Sequence, residues 1–197
     1  MLFSISEIID IVMMTLALGF IFQDVFKKKI VAGRNYDPIK AYQKEKNSFF
    51  NSNFKFAMML TAPAIILHEL GHKFVALSFG ATATFQAAYA FLIIAVVLKL
   101  MKSNFIFFVP AYVTWKGSVT VVESSLIAFA GPAVNLILFT IAYFYIKSGH
   151  TTKKNIQYWE LFKRINLFLF VFNMLPIPGF DGFHVVSSLF KFFTGLF

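Results

Sequence analysis

Apolar residues gather in five long stretches of the chain, with shorter polar segments between them. The first stretch, residues 5–26, follows no positively charged segment and ends at no small-residue cleavage site, so it predicts a retained helix and not a signal peptide. Four further stretches suited to apolar helices follow at residues 54–79, 83–100, 126–146 and 161–175. The pattern therefore predicts about five apolar helices.

One segment departs from this helical pattern. Residues 111–122 are rich in aromatic and β-branched side chains and contain a Lys116-Gly117 pair suited to a turn, so we predict a small β-hairpin there. Near the end of the chain, Pro176 and Pro178 interrupt the last long helix. A short amphipathic tail follows them.

The composition indicates whether this chain is surrounded by water or by lipid. With 58% hydrophobic and 14% charged residues, its 197 residues have too little polar surface for a soluble domain, so we predict a multi-pass protein of the cell membrane. The absence of cysteine excludes disulfides, thiolate zinc sites and cysteine nucleophiles. The net charge of +9 comes from Lys and Arg between the apolar stretches, which favours contact with anionic lipid and not with nucleic acid.

The second apolar stretch contains ionisable side chains that are expensive inside a membrane. Residues 68–72 read His-Glu-Leu-Gly-His, an H-E-x-x-H pattern, in which two imidazoles project from one helix face and can share a zinc ion. Glu69 then lies where it can take a proton from a zinc-activated water. An ion-paired patch between packed helices is the alternative, but its burial is costly without a metal.

Catalytic zinc usually has three protein ligands, so a third must come from elsewhere in the chain. Asp181 is the leading candidate, because it follows Pro176 and Pro178, which free the backbone to aim a carboxylate inward. The alternative is that Asp181 only caps a loop.

Three motifs together resemble the site-2 protease family of intramembrane zinc metalloproteases. They are HELGH at residues 68–72, GPAVN at 131–135 and NMLPIPGFDG at 173–182, and they occur in the family's order, each on its own apolar segment. The resemblance covers about two thirds of the chain. By this resemblance, His68, His72 and Asp181 bind one Zn²⁺ per chain and Glu69 activates water.

The resemblance implies further roles for two asparagines. Asn173 matches a family residue that holds the substrate or its oxyanion, for which an amide N–H is suited. Asn135 is expected to bind substrate as well, with a helix-packing role beside Gly131 as the alternative. Phe183 stands where many relatives have a second glycine, which can reshape the site. His184 is a candidate support for Asp181.

The predicted fold class is an all-α polytopic membrane protein with a three-helix catalytic core and the small β-hairpin near the active site. We divide it into an N-terminal transmembrane helix and basic loop at residues 1–53, a metalloprotease core at 54–185 and the C-terminal tail at 186–197. No connection is long enough for the PDZ domain of some relatives.

The predicted activity is endopeptidase cleavage within or near transmembrane segments of membrane proteins, as in regulated intramembrane proteolysis. The hairpin edge is expected to receive an unwound substrate by β-augmentation, since a helix must expose its scissile bond. The expected partners are transmembrane substrates and the lipid bilayer, and the sequence does not predict an oligomeric state. A non-catalytic relative and an ion transporter are the rival functions, and the intact Glu69 argues against the first.

The resemblance also constrains the topology. It requires the helices of His68 and Asn135 to run antiparallel, so residues 83–108 must enter the membrane and return on the same side. We therefore predict a helix followed by an extended or re-entrant stretch buried against protein.

Overall fold

The computed structural model describes residues 2–29, 51–103 and 109–195. The predicted basic loop lies largely outside these residues, as do the middle of the expected re-entrant stretch at 104–108 and the last two residues of the tail. The described chain is mostly helical. Its six helices and two strands, in chain order, are α1 (Ile5–Phe22), α2 (Ser52–Ser78), β1 (Thr82–Ala87), α3 (Tyr89–Leu100), β2 (Ala111–Lys116), α4 (Val121–Lys147), α5 (Ile156–Asn173) and α6 (Asp181–Thr194).

Three of the described helices, α1, α2 and α4, are long and apolar enough to cross a membrane. α3 has 12 residues, and its length of roughly 18 Å is well short of a bilayer core of about 30 Å. Two helix starts are set by capping boxes, in which Ser4 pairs with Glu7 and Thr120 pairs with Glu123. The predicted all-α membrane fold class is confirmed, and its small β element is present as a two-stranded antiparallel sheet.

The core lies where α2 packs against α1, α4 and α5. Leu60 of α2 packs with Ala142 of α4 near one end, and Ala76 packs with Ile127 near the other. α2 and α4 therefore run antiparallel, as the topology argument requires.

The strand pairing differs from the predicted hairpin. β2 ends at Lys116, and residues 121 and 122 begin α4, because the Thr120 capping box starts a helix there. The partner of β2 is β1, with Ala87 opposite Ala111 and Thr82 opposite Lys116. The hairpin over 111–122 is therefore wrong, since a strand's partner across an intervening helix leaves no local signal.

Residues 83–108 are expected to enter the membrane and return on the same side, and the described parts of this segment agree with that path. α3 leads away from the sheet, and Lys99 near its end contacts Asp24, just beyond α1, at 3.1 Å. The chain is back at the sheet by Pro110, whose carbonyl accepts a hydrogen bond from the Ala88 amide at 3.1 Å. The segment thus begins and ends beside the same strand pair.

Candidate metal centre

Two imidazoles of α2 form one half of the site. His68 and His72 lie one helical turn apart and both are buried. Their Nε2 atoms are 3.2 Å apart. This closeness follows from the four-residue spacing on a regular helix, which stacks the two side chains on one face.

Asp181 completes the cluster from the other end of the chain. It is the first residue of α6, and the loop before it turns at Gly179, whose φ is +98°. A side chain on the next residue, Gly182, would place its Cβ 2.3 Å from the Met174 carbonyl oxygen, so only glycine lets the loop close here. The carboxylate oxygens lie 3.1 Å from His68 Nε2 and 3.4 Å from His72 Nε2.

The three side chains fit a zinc ion. Tetrahedral zinc with bonds of about 2.0–2.1 Å holds its ligand atoms about 3.3 Å apart, and the three separations here are 3.1, 3.2 and 3.4 Å. Within the described part of the chain, this is the single group of three or more metal-binding side chains with this closeness. Three protein ligands would leave a fourth position for water.

Hydrogen bonds orient both imidazoles toward Asp181. His68 Nδ1 lies 2.6 Å from Asn135 Oδ1, and His72 Nδ1 lies 2.7 Å from the Ile127 carbonyl oxygen. A carbonyl only accepts, so His72 Nδ1 carries the hydrogen and its Nε2 presents a lone pair to a metal.

Gly131 of α4 keeps the space beside the imidazoles open. A Cβ at this position would lie 2.3 Å from His72 Nε2 and 2.7 Å from His68 Nε2. The same two helices also approach closely at Gly71 of α2, where a Cβ would lie 2.8 Å from the Ala130 carbonyl oxygen of α4. This explains why the GPAVN motif begins with glycine, since any side chain there would occupy the space between the two imidazoles.

Asn135 lies one helical turn beyond Gly131 and is fully buried. Its amide group bonds His68, the Ala64 carbonyl oxygen and Asn166. These contacts with two neighbouring helices are those of the helix-packing alternative, and contact of Asn135 with substrate stays a prediction. Sequence reasoning missed Asn166, although a buried asparagine inside an apolar helix is itself a signal.

A cavity of about 480 Å³ opens beside this cluster. Glu69, Asn173 and His184 line it together with α4 and β2. The Glu69 carboxylate is buried and accepts no hydrogen bond from the residues that the structure describes. His184 is exposed, and no side-chain bond joins it to Asp181, so the supporting role considered for His184 has no contact behind it.

Comparison with known proteins gives relatives of one kind. The profile of peptidase family M50 matches residues 146–196, which include Asp181. The chain is 34% identical over 190 residues to MJ0611 of Methanocaldococcus jannaschii, named as a candidate zinc metalloprotease, with 94% of this chain and 85% of the relative covered. It is 29% identical over 142 residues to YwhC of Bacillus subtilis, which carries the same description, with 62% of this chain and 64% of that protein covered.

No solved structure matches the chain significantly. The relative from M. jannaschii nevertheless extends over nearly the whole chain, and the family profile covers the loop that brings Asp181 to the two histidines. The apolar helices and the zinc-compatible cluster agree with both. The chain therefore belongs to peptidase family M50, the site-2 protease family, and is a membrane zinc metalloprotease.

Proposed function

We propose that this enzyme cleaves peptide bonds within or near transmembrane segments of membrane proteins. The observation that carries the proposal is the depth of the cluster in an apolar helix. His68 lies 16 residues after Ser52, the first residue of α2, or roughly 24 Å along the helix axis. A zinc centre at that depth acts on a substrate that is itself in the bilayer.

The contacts support a role for each residue. His68, His72 and Asp181 would hold the metal. Zinc bound there would supply a Lewis acid that acidifies a water molecule and polarises the scissile carbonyl. Glu69 accepts the water proton as general base and passes it to the leaving amine, a role suited to a buried carboxylate without a hydrogen-bonding partner in the described chain.

Asn173 is proposed to stabilise the developing oxyanion. It is the last residue of α5 and lines the same cavity as Glu69. Its amide has no partner among the described residues, in contrast to the fully bonded amide of Asn135. An uncommitted N–H donor beside the metal suits a charge that appears only in the transition state.

The substrate must unwind before its carbonyl can reach the metal, and the freed backbone groups then need partners. β2 offers them. One edge of the sheet is closed, because the outward amides of Phe85 and Ala87 in β1 donate to the carboxylates of Glu7 and Asp10 at 2.7 and 3.3 Å.

The opposite edge of the sheet faces the cavity. In an antiparallel pair, the residues opposite Phe85 and Ala87 also turn their backbone groups outward, and these are Val113 and Ala111. Both line the cavity. An extended substrate is therefore proposed to add to β2 and to lie between this strand and the metal ligands.

The proposed organisation keeps the three regions at residues 1–53, 54–185 and 186–197. The chain is proposed to cross the cell membrane several times, with transmembrane proteins as substrates and lipid as its surroundings. α6 supports a lipid contact near the end of the chain, since it exposes a set of large apolar side chains, namely Val186, Leu189, Phe190, Phe192 and Phe193.

The test is Glu69→Gln in the full chain, reconstituted in lipid vesicles with a transmembrane substrate. We expect zinc content and fold to be retained while cleavage falls by at least ~100-fold, as is typical of losing a general base. Glu160→Gln is the matched control, because Glu160 is a carboxylate of α5 paired with Lys163 and away from the cavity. Cleavage at the wild-type rate by Glu69→Gln would refute Glu69 as the general base. Zinc binding without any cleavage by the wild-type protein would instead leave a zinc-binding transporter as the better account.

A further inference from the structure

Asn166 is a polar side chain in the apolar interior of α5. It is fully buried, with 0% of its surface exposed. Its Nδ2 donates to the Phe162 carbonyl oxygen of the same helix at 2.8 Å, and its Oδ1 accepts from Asn135 Nδ2 at 3.0 Å. Neither the H-E-x-x-H pattern nor the other two motifs contain this residue.

The bonds continue from Asn135 to the metal centre. The second hydrogen of Asn135 Nδ2 goes to the Ala64 carbonyl oxygen at 3.0 Å, and Asn135 Oδ1 faces His68 Nδ1 at 2.6 Å. The relay formed by Asn166, Asn135 and His68 therefore joins α5, α4 and α2.

Two backbone carbonyls outside the relay determine how both of its amide groups are oriented. The Phe162 and Ala64 carbonyls can only accept, so Asn166 and Asn135 must turn their NH₂ groups toward them. Asn135 then has only its oxygen left for His68, and His68 Nδ1 must carry the hydrogen. The Nε2 atom is left with a lone pair, which is the form that binds a metal.

We infer that Asn166 is a positioning residue of the zinc centre, which acts through Asn135 to hold His68 in the tautomer and orientation needed for metal binding. This inference rests on the proposed role of His68 as a ligand. His72 needs no such relay, because the backbone carbonyl of Ile127 orients it directly. A side-chain amide can turn over, so the one that supports His68 needs fixed partners of its own.

The experiment measures zinc affinity of the purified full chain by competition with a chelator, together with the visible spectrum of the Co²⁺-loaded protein. We expect Asn166→Leu to weaken zinc binding by about 10-fold and to alter the Co²⁺ spectrum, within the range seen for outer contacts of metal ligands. Asn166→Asp should stay within about 3-fold of wild type, because the neutral carboxyl group, which burial favours, can donate to the Phe162 carbonyl and still accept from Asn135.

Thr61→Val is the matched control. Thr61 is a buried polar residue of α2 that bonds a carbonyl of its own helix, as Asn166 does, but has no connection to His68. It should leave both readouts unchanged. A double-mutant cycle completes the test: adding Asn166→Leu to Asn135→Leu should cost little more than Asn135→Leu alone, because the relay is already broken.

Wild-type zinc affinity and Co²⁺ spectrum in Asn166→Leu would overturn the inference. Equal losses in Asn166→Leu and Asn166→Asp, or additive losses in the double variant, would do the same, since they indicate packing and not orientation. His68→Ala separates this failure from that of the proposed function. Retained zinc in His68→Ala refutes the ligand assignment itself, whereas lost zinc in His68→Ala with normal Asn166→Leu refutes the relay alone.

Discussion

The two halves of the metal centre differ in how firmly they are held. The histidine half comes from two long packed helices, and the side chains of His68 and His72 are 8% and 10% exposed. Each of these imidazoles has a partner for Nδ1. The aspartate half comes from a proline-rich loop, and the Asp181 side chain is 23% exposed.

This difference corresponds to two tasks of the site, which are to bind a metal ion and to admit a substrate. A metal needs ligands whose rotamers are fixed before it binds, and two crossing helices with glycine at their contact provide them. A substrate needs an approach path, and Asp181 is the most exposed of the three side chains, all of which line the cavity. Variants of each half should therefore affect different measured quantities.

The largest effects are expected from the ligands themselves. Purified protein should hold about one zinc ion per chain, and His68→Ala and Asp181→Ala should each lose most of it and all measurable cleavage. Metal analysis of the purified variants tests this. His184→Ala is the control, since the His184 side chain lines the same cavity without a hydrogen bond to the three clustered side chains, and it should keep its zinc. Stoichiometric zinc in Asp181→Ala would move the third ligand elsewhere.

Asn173→Ala should affect catalysis and not metal binding. We expect a kcat about 100-fold lower with zinc content unchanged, because the amide is proposed to bond only the charge that develops in the transition state. Steady-state kinetics with a transmembrane substrate measures it. A raised KM with normal kcat would instead make Asn173 a residue that binds the substrate ground state.

Two glycine substitutions compare the halves directly. Gly131→Ala should weaken zinc binding by at least about 10-fold, because the new Cβ would lie within 2.7 Å of both Nε2 atoms between two packed helices. Gly182→Ala should weaken it less, because a loop held open by the clash with the Met174 carbonyl displaces only Asp181, whereas the new methyl group at position 131 meets both imidazoles. Chelator competition gives both affinities. The reverse order would show that the loop, and not the helix pair, is the rigid half.

The smallest effect is expected at the sheet edge. Val113→Pro removes an outward amide, so the strand pair should survive while kcat/KM falls by about 10-fold through loss of a substrate hydrogen bond. Thr114→Pro is the contrast, because Thr114 faces β1 and its loss should disrupt the sheet. Circular dichroism and kinetics together distinguish the two. Unchanged kcat/KM in Val113→Pro would place the substrate away from β2.

Much of the site was predictable because its signals are local. The four-residue spacing of His68 and His72 determines which helix face they share, and the prolines before Asp181 indicate a break that can aim a carboxylate. Asn135 shows the limit of such reasoning. The motif marks the residue, but its contact with His68, 67 positions away, depends on how α2 and α4 pack.

The sheet and the interior ion pair show the same limit. Glu7 bonds Lys73, which is 66 positions away, and closes the outer edge of β1, yet no local pattern in either apolar stretch predicts this pairing. Tyr158 of α5 donates to the Met59 carbonyl at 3.3 Å, the one that Pro63 leaves without a helical donor. Such partners compensate for local defects from distant parts of the chain.

The sequence by itself therefore predicted the groups available for chemistry: apolar helices for a membrane, two imidazoles at helical spacing, a carboxylate beside them and an aspartate after a helix break. Only the tertiary structure decided the pairing of β1 with β2, the partners of Asn135 and Asn166, and the closed and open edges of the sheet. The physical reason is the distance along the chain between the residues that interact. Helical periodicity is set by neighbours three and four residues apart, whereas the hydrogen bonds that orient a ligand are chosen by which buried polar groups the packed helices bring together.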